Sequence, residues 1–536
     1  MDETTSHQVA GFSNESVSRR QSRIADRRES FLSGGMAIAW VLAAVAVLVQ
    51  MLTDGRYGYF RDELYYIATS NHLAFGYVDF APLAAWVLRV NRALFGESLH
   101  ALRLLPALAG GAQIVLTGLI ARELGGKKFA MFLACVSVLV APVVLVIDGR
   151  YSMNVFEPLS WMGCVYFLLL AINRNQPKLL VWCGVLLGLG LENKHSTVFF
   201  LFALLVGIVA TSDRRLLKSK WLWIAVGIAF LISLPNLVWQ YQHGFPTWVD
   251  LNNVRKTGKN TVLPPLRFLL QQVLMLNPAG AIVWIAGLGF LLFHREGKRY
   301  RSLGVTYLAF LAVMMALHAK DYYLAPIYPM LFAAGGVYWE ELTRGRAGLR
   351  WVRVAIPALV LVMGATLAPL VIPILPIARV VPYIESLGIK LPHTESHDTE
   401  ALPQHFADEF GWPEMVASVA DVYNAMPPEE RAKTGILAGN YGEAGAIDFF
   451  GSRYGLPKSI SAHQNYYYWG PRNYTGESLI LLQWDLDDAQ RYCESVEKGP
   501  TLDPRYGMDE EHYTILVCHG LRAPLASSWP KLKHWN

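Results

Sequence analysis

Long apolar runs recur between residues 34 and 374, and they restrict the fold of this chain more than any other feature. An α-helix needs about 20 apolar residues to cross the hydrocarbon core of a bilayer. The run Leu179–Ala210 is too long for one span and contains the polar segment Glu192–His195, which predicts two short helices with a break. The sequence therefore predicts a polytopic α-helical membrane protein with about eleven transmembrane helices. The other runs are Gly34–Leu52, Leu104–Ala121, Phe129–Ile147, Val155–Ile172, Trp221–Trp239, Ala279–Phe293, Leu303–His318, Tyr322–Trp339 and Val352–Ile374.

The C-terminal part of the chain has a different composition. Only 17% of the 536 residues are charged, but charges become frequent after Pro382. Strand-like runs alternate there with helical patterns, which predicts a small soluble α/β domain over residues 382–536, after a transmembrane domain over 33–375. The strand-like runs are Thr434–Ala438, Ser478–Leu482 and Tyr513–Val517, and the helical patterns are Trp412–Ala425 and Gly442–Phe450.

The positive charges indicate the topology. Basic residues fall in alternate connections, from Arg19–Arg28 before the first run to Arg344–Arg350 before the last, which predicts a cytoplasmic N-terminus. An odd number of spans then puts the C-terminal domain outside the cytoplasm. Residues 1–32 are polar and rich in Ser and Arg, which predicts a disordered cytoplasmic tail without a cleavable signal. This topology explains most of the net charge of +5, so no nucleic-acid partner is implied.

The chain has five cysteines. Three of them lie in predicted spans, where cysteine packs as a small apolar residue: Cys135, Cys164 and Cys183. Cys493 and Cys518 lie in the predicted exported domain, where a disulfide is permitted, and the sequence leaves open whether it forms.

Polar residues gather in the connections that the topology puts outside. The first long loop, Asp54–His100, is rich in tyrosine and should form amphipathic helices on the membrane surface. A second long loop covers Tyr241–Pro278, and short turns follow Ile147, Leu191 and Leu317. A transporter would carry its charges near the bilayer midplane. Charges at one interface instead suit a lipid phosphate headgroup, with chemistry performed outside.

The residue types at this face suit sugar transfer from a lipid phosphate. A carboxylate such as Asp62 could take the proton of the acceptor, and its neighbour Glu63 is a second acid. Cationic or hydrogen-bonding groups would stabilise the departing phosphate. The candidates for that contact are Arg61, Lys194, His195 and Lys320. The candidates for binding the rest of the substrate are Tyr66, Asp79, Glu157, His243, Asp321 and Tyr322.

Structural interpretations compete with each of these assignments. The Asp62–Glu63 pair is also compatible with an interfacial polar flank, and Lys194 and Lys320 with snorkelling at span ends. His195 and His243 fit equally well as hydrogen-bonded structural residues. No Cys or His pair has the spacing of a metal site, so the sequence implies no metal or other cofactor, without excluding a divalent cation.

Two motifs of the C-terminal domain each allow two interpretations. Gly439–Gly445 follows a predicted strand and begins a helix, so its glycines could approach an anion or form a tight turn. The aromatic run Tyr466–Trp469 could contact a sugar or peptide acceptor, or fill a domain interface.

Several segments resemble one known family. Phe60–Tyr66, which follows the first span, is similar to the Asp-Glu motif in the first outside loop of GT-C glycosyltransferases. The resemblance is greatest to the bacterial protein-mannosyltransferase and aminoarabinose-transferase-like group, glycosyltransferase family 39 and relatives. It covers roughly Gly34 to Trp339. The other matching segments are Gly76–Leu83, Arg103–Pro106, Asn193–His195, Pro235–Pro246 and Lys320–Tyr323 with Pro326, Tyr328 and Pro329.

This resemblance implies a bacterial inner-membrane enzyme that uses a polyprenyl-phosphate-linked sugar on the extracytoplasmic face, usually with inversion. It implies that Asp62 is catalytic and that Lys194 and Lys320 contact the lipid phosphate. Family members often have a second acidic residue after the third span, where this chain has Asn154 with Glu157 nearby. The expected acceptor is a protein, glycolipid or polysaccharide. The alternatives are a transporter or flippase for a lipid-linked sugar, and a lipid-binding scaffold.

Overall fold

The computed structural model describes residues 34–259, 262–388 and 402–535. The predicted cytoplasmic tail over residues 1–32 lies outside the described residues. The described residues of the membrane part form helices, and one small sheet lies in the C-terminal part. The helices of the membrane part are α1 Gly34–Thr53, α2 Arg61–Asn71, α3 Leu83–Phe95, α4 Leu99–Glu123, α5 Lys128–Leu139, α6 Pro142–Asp148, α7 Glu157–Arg174, α8 Leu180–Asn193, α9 Thr197–Val209, α10 Lys220–Gln242, α11 Pro246–Thr257, α12 Pro265–Met275, α13 Ala281–Phe293, α14 Arg301–Ala316, α15 Tyr328–Thr343 and α16 Val352–Leu367.

The apolar helices indicate a protein embedded in a membrane. Among the described residues, five helices are long and apolar enough to cross one, and counting each bent helix pair as one span raises the number to eight. The prediction of about eleven spans is based on the lengths of the apolar runs in the sequence. Some of those runs form short or bent helices instead; α5 and α6, for example, meet at 65° before Pro142. The predicted break at Glu192–His195 is confirmed, because α8 ends at Asn193 and α9 begins at Thr197.

The first long loop, Asp54–His100, forms two helices, as predicted, but they face different surroundings. Helix α3 exposes Val90, Leu94 and Phe95, which fits a helix on the membrane surface. Helix α2 instead buries Leu64 and most of its other residues. The cause is the C-terminal part, which covers α2.

The C-terminal part contains a four-stranded mixed sheet in the order β1-β2-β4-β3. Strand β1 pairs with β2 in parallel, and β4 pairs antiparallel with both β2 and β3. The three predicted strands and both predicted helices are present. The elements of this part are α17 Val380–Leu387, α18 Gln404–Ala407, α19 Trp412–Ala425, α20 Pro428–Arg431, β1 Thr434–Leu437, α21 Tyr441–Phe450, α22 Tyr466–Trp469, β2 Ser478–Leu481, α23 Leu486–Tyr492, β3 Cys493–Thr501, β4 Thr514–Leu521 and α24 Leu525–Leu532.

Strand β3 was not predicted, because its sequence is polar and mostly exposed. Such residues are common on edge strands, where they discourage pairing with other chains. A disulfide joins Cys493 of β3 to Cys518 of β4, which answers the question that the sequence left open. The other three cysteines are free and buried, as predicted.

One hydrophobic core joins α2 to the C-terminal part. Leu64 and Tyr65 of α2 lie in the same buried cluster as Trp412, Ile447 and Ile515. We call this contact region the seam. The domain boundary near residue 382 remains a prediction, but the packing continues across it.

Two glycines of α21 make the approach to α2 possible. A Cβ atom on Gly445 would lie 2.9 Å from the carbonyl carbon of Leu64, and one on Gly442 would lie 2.6 Å from Cγ of Arg61. Helix α21 therefore lies closer to α2 than side chains at positions 442 and 445 would allow.

We expect Gly445→Ala to destabilise the protein, because the added methyl group would press on the backbone of α2. Overpacking of this kind costs about 1–3 kcal/mol. The control is Gly348→Ala, because a Cβ at Gly348 meets no atom within 4 Å. Thermal unfolding in detergent should show a lower midpoint for Gly445→Ala alone, and equal midpoints for both variants would contradict this packing.

Candidate active site

The Glu63 side chain is fully buried in a set of hydrogen bonds. Arg103 donates from Nε to Oε1 at 2.9 Å and from Nη2 to Oε2 at 2.7 Å. The backbone N–H of Tyr151 donates to Oε1 at 2.9 Å, and that of Phe60 donates to Oε2 at 2.9 Å. Both carboxylate oxygens are thus engaged, so the geometry favours a structural role for Glu63 over the predicted catalytic one.

A second buried pair extends this network to the C-terminal part. The Arg150 guanidinium contacts Oε1 of Glu409 at 2.5 and 2.6 Å, and Arg103 lies 3.7 Å from Oε2 of Glu409. Burying four charged groups is tolerated only when they pair with one another. We call Glu63, Arg103, Arg150 and Glu409 the buried charge cluster. It fixes the start of α2 against the segment before α19.

Asp62 faces away from this cluster. It lies in the first turn of α2, where the helix dipole favours negative charge, and its side chain is only half-buried. The hydroxyl of Tyr441 donates to its Oδ1 at 2.8 Å. Neighbouring positions 62 and 63 therefore have different environments, one at the seam and one inside the protein.

Asp79 lies close enough to Asp62 for their charges to interact, and hydrogen bonds hold its side chain. Tyr65 donates to Oδ1 of Asp79 at 3.0 Å and accepts from Nδ2 of Asn465 at 2.6 Å. Burial raises the pKa of Asp79 to about 8, and the negative charge of Asp250 contributes. Asp250 in turn accepts from Nε2 of Gln464 at 3.0 Å.

Lys194 and Glu157 form a buried pair near the membrane side of the seam. Lys194 Nζ donates to Oε2 of Glu157 at 3.0 Å and to Oδ1 of Asn154 at 2.9 Å. The Tyr323 ring lies 4.3 Å from Nζ, and the predicted substrate contact Tyr322 lies 5.8 Å from it. The structure thus brings Lys194, Glu157 and Tyr322 together, as well as Asn154 at the position of the expected second acid.

A short path connects this pair to α2. The backbone N–H of Met153 donates to the Tyr66 hydroxyl at 3.2 Å, and Asn193 donates to the Met153 carbonyl at 2.7 Å. Met153 and Asn154 therefore lie between two elements. One is Tyr66 of α2, one turn after Asp62, and the other is the break between α8 and α9, which contains Lys194.

The predicted phosphate ligand Arg61 points elsewhere. It forms an ion pair with Glu510 and lies 3.7 Å from Oδ1 of Asp408, both in the C-terminal part. Its guanidinium also lies 5.6 Å from the centre of the Tyr441 ring. These contacts make Arg61 an anchor across the seam, and its position does not support a phosphate contact.

The other predicted residues contact protein groups near the seam and the membrane part. His195 shares a 2.9 Å hydrogen bond with Asn236, and Tyr322 donates its backbone N–H to Oδ1 of Asp321 at 2.8 Å. His243 is exposed and stacks on Trp239 at 4.1 Å between ring centres. Lys320 is half-buried. Burial raises the pKa of Asp250, and the nearby positive charge of Lys320 is among the interactions that oppose this rise.

The two C-terminal motifs have structural explanations. Asn440 Oδ1 accepts from the N–H groups of Gly442 and Glu443, at 2.8 and 3.0 Å, so the start of α21 is capped by its own chain. In the aromatic run, Trp469 stacks on His72 at 4.1 Å, which fits the interpretation as interface filling.

Sequence reasoning missed Asp250, Gln464 and Asn465 as members of this site. Asp250 lies in the second outside loop, which was singled out for its other residues. Gln464 and Asn465 belong to no sequence motif that would have indicated a site. Within residues 34–259, 262–388 and 402–535, no group of three or more His, Cys, Asp or Glu is placed to hold a metal ion.

Comparisons with known proteins agree with this architecture. Residues 79–239 match the family model described as dolichyl-phosphate-mannose-protein mannosyltransferase. The lipid A galacturonosyltransferase RgtD of Rhizobium johnstonii is 27% identical over 201 residues, a match that covers 36% of this chain and 41% of that relative. The chain thus aligns with less than half of the length of that relative.

The fold also resembles that of a protein of known structure. The crystal structure of ArnT from Cupriavidus metallidurans bound to undecaprenyl phosphate matches with a TM-score of 0.59 and 14% identity, covering 89% of this chain and 97% of ArnT. The apo structure of ArnT matches with a TM-score of 0.58 over the same shares. At this identity the likeness shows a common fold.

The chain is a relative of the GT-C glycosyltransferases. The predicted family resemblance is thereby confirmed. The family model includes Asp79, Lys194 and His195, whereas Asp62 and Glu63 lie before its first matched residue. The roles of individual residues in this GT-C relative rest on the geometry described above.

The raised pKa of Asp79 predicts how stability depends on pH. A carboxyl with a pKa of about 8 in the folded protein, and about 4 when unfolded, binds more protons in the folded state between these values. Its stabilising contribution is complete below pH 4 and is lost as the pH rises to 8. We expect thermal midpoints measured from pH 5 to 8 to fall more steeply for the wild type than for Asp79→Asn. Parallel curves would contradict the raised pKa.

Proposed function

We propose that this protein transfers a sugar from a polyprenyl-phosphate-linked donor to an acceptor on the extracytoplasmic side of a bacterial inner membrane. The observation that carries this proposal is the position of Asp62. Its carboxylate lies at the start of α2, in the seam above the membrane part of a GT-C fold. The alternation of basic connections supports the outside location of the seam. The charges gathered at this one face do not favour the transporter or flippase alternative.

Asp62 would act as the general base. As the acceptor hydroxyl attacks the anomeric carbon, its proton passes to the Asp62 carboxylate. The bond between that carbon and the phosphate oxygen breaks at the same time, and its electron pair leaves with the polyprenyl phosphate. A single displacement of this kind inverts the configuration of the sugar. Asp62 has the placement for this role, because it is accessible at the seam whereas Glu63 is enclosed.

The leaving phosphate needs positive charge close to the membrane surface. Lys320 is half-buried at this face, and Lys194 lies in the polar break between α8 and α9. Glu157 balances the charge of Lys194. Both lysines are candidates for the phosphate contact. The carbohydrate would then lie between these lysines and α2, against Tyr66 and Asp79.

The comparisons suggest two classes of acceptor. The name of the curated relative points to lipid A, and the description of the matching family model points to protein. The geometry of Asp62 fits a hydroxyl group on either one, or on a polysaccharide.

We expect Asp62→Asn to lower the rate of sugar transfer by about 10²–10⁴-fold, the usual contribution of a general base. The assay uses purified full-length protein in nanodiscs, a panel of radiolabelled polyprenyl-phosphate sugars, and lipid A and protein acceptors. Donor binding should persist, because the amide keeps the shape of the carboxylate.

The matched control is Asp421→Asn, the same substitution at an exposed position of α19, which should transfer at the wild-type rate. Wild-type transfer by Asp62→Asn would remove Asp62 from the role of base. A wild-type protein that transfers no sugar but moves the lipid-linked sugar across vesicles would overturn the proposed function.

A further inference from the structure

A side chain of the C-terminal part contacts the candidate base directly. Tyr441 and Asp62 are 379 residues apart in the chain, yet the Tyr441 hydroxyl donates to Oδ1 of Asp62 at 2.8 Å. This is a hydrogen bond to a charged group, the stronger kind in proteins. The general base of the membrane part is therefore not assembled by the membrane part alone.

Three neighbours hold the Tyr441 ring in place. The Tyr65 ring lies 4.6 Å away between centres, and the His463 ring lies 5.0 Å away. The Arg61 guanidinium lies 5.6 Å from the centre of the Tyr441 ring. With these contacts on the ring, the hydroxyl has a defined position.

The motif Gly439–Gly445 explains how Tyr441 reaches Asp62. Asn440 caps α21, which makes Tyr441 the first residue of the helix. Gly442 faces Arg61 and Gly445 faces Leu64, so α21 and α2 begin side by side. The glycines thus serve a close contact between two helices, an explanation that the sequence had not suggested.

We propose that Tyr441 is a positioning residue for Asp62, so that the C-terminal part completes the active site. This inference rests on the proposed role of Asp62 as the general base. The donated hydrogen bond fixes the orientation of the carboxylate and favours its charged form, which is the form that accepts a proton.

Two further contacts fit the same arrangement. Asn465 donates to the Tyr65 hydroxyl, which holds Asp79, and Gln464 donates to Asp250. The C-terminal part thus reaches three carboxylates of the outside loops. The contact to Asp62 is the one that acts on the candidate base itself.

The test measures the protonation of Asp62 without using activity. A water-soluble carbodiimide with an added amine modifies protonated carboxyl groups, and mass spectrometry of the Asp62 peptide gives the extent of labelling at each pH. We expect the labelling midpoint of Tyr441→Phe in nanodiscs to lie about one pH unit above that of the wild type, because the charged form loses a hydrogen bond. The control Tyr492→Phe changes an exposed tyrosine of the same domain and should leave the midpoint unchanged.

Other charged and titratable groups around Asp62 stay the same in this comparison. They are Arg61 and Tyr66 on its own helix and Asp79 from the same loop. Gly445→Ala is a second variant, because it shifts α21 relative to α2 and keeps the hydroxyl. We expect its midpoint to move in the same direction.

Transfer kinetics provide an independent readout. We expect kcat of Tyr441→Phe at neutral pH to fall about 10–100-fold, with KM for the donor little changed, because the base is misplaced and donor contacts remain. The acidic limb of the pH–rate profile should move upward with the labelling midpoint.

The outcomes separate this inference from the proposed function. If both variants label Asp62 with the wild-type midpoint, Tyr441 does not position it, and the inference is overturned even if the wild type transfers sugar. If the midpoint moves but the wild type transfers no sugar, the contact is real and the proposed function fails.

Discussion

The buried charge cluster of Glu63, Arg103, Arg150 and Glu409 is the interaction on which the rest of the site depends. Each of these side chains is almost completely buried, so each needs the others to offset the loss of hydration. Arg103 and Arg150 come from the membrane part, and Glu409 comes from the C-terminal part. The cluster therefore holds the C-terminal part in one place above α2, and the contacts at the seam follow from that placement.

The different environments of the adjacent residues Asp62 and Glu63 follow from this constraint. Because Glu63 turns inward to meet Arg103, the helical geometry of α2 turns Asp62 toward the seam, where Tyr441 meets it. The preceding residue, Arg61, pairs with Asp408 and Glu510 of the C-terminal part. Three consecutive residues thus have different roles. Arg61 anchors α2 across the seam, Asp62 is the candidate base, and Glu63 belongs to an internal ion pair.

The sequence predicted those features that depend on local patterns. Apolar length indicated the membrane part, the Glu192–His195 interruption indicated the break between α8 and α9, and strand-like runs indicated three strands. The span count stays a prediction, because apolar composition does not show where a helix bends, as α5 and α6 do before Pro142. Strand β3 was missed because its sequence is polar and contains no apolar strand-like run.

The site was only partly predictable for a similar reason. Asp62 and Asp79 stand out in a tyrosine-rich loop, whereas Tyr441, Gln464 and Asn465 act through contacts with residues more than 200 positions away. No local pattern contains such contacts. The role of Arg61 in phosphate binding stays a prediction, and its contacts with Asp408 and Glu510 of the C-terminal part could not be read from a local pattern.

In the proposed arrangement the phosphate of the donor contacts Lys194 and Lys320 at the membrane side of the seam, and the carbohydrate lies between these lysines and α2. The most direct measurement is photo-crosslinking in nanodiscs, with a polyprenyl phosphate that carries a photoreactive group beside the phosphate, and mapping of the adducts by mass spectrometry. This arrangement predicts adducts in Arg61–Asn71 and in the segments around Lys194 and Lys320, and unlabelled polyprenyl phosphate should reduce their formation. Adducts confined to the basic connections around residues 211–220 and 294–301, on the opposite face, would contradict it.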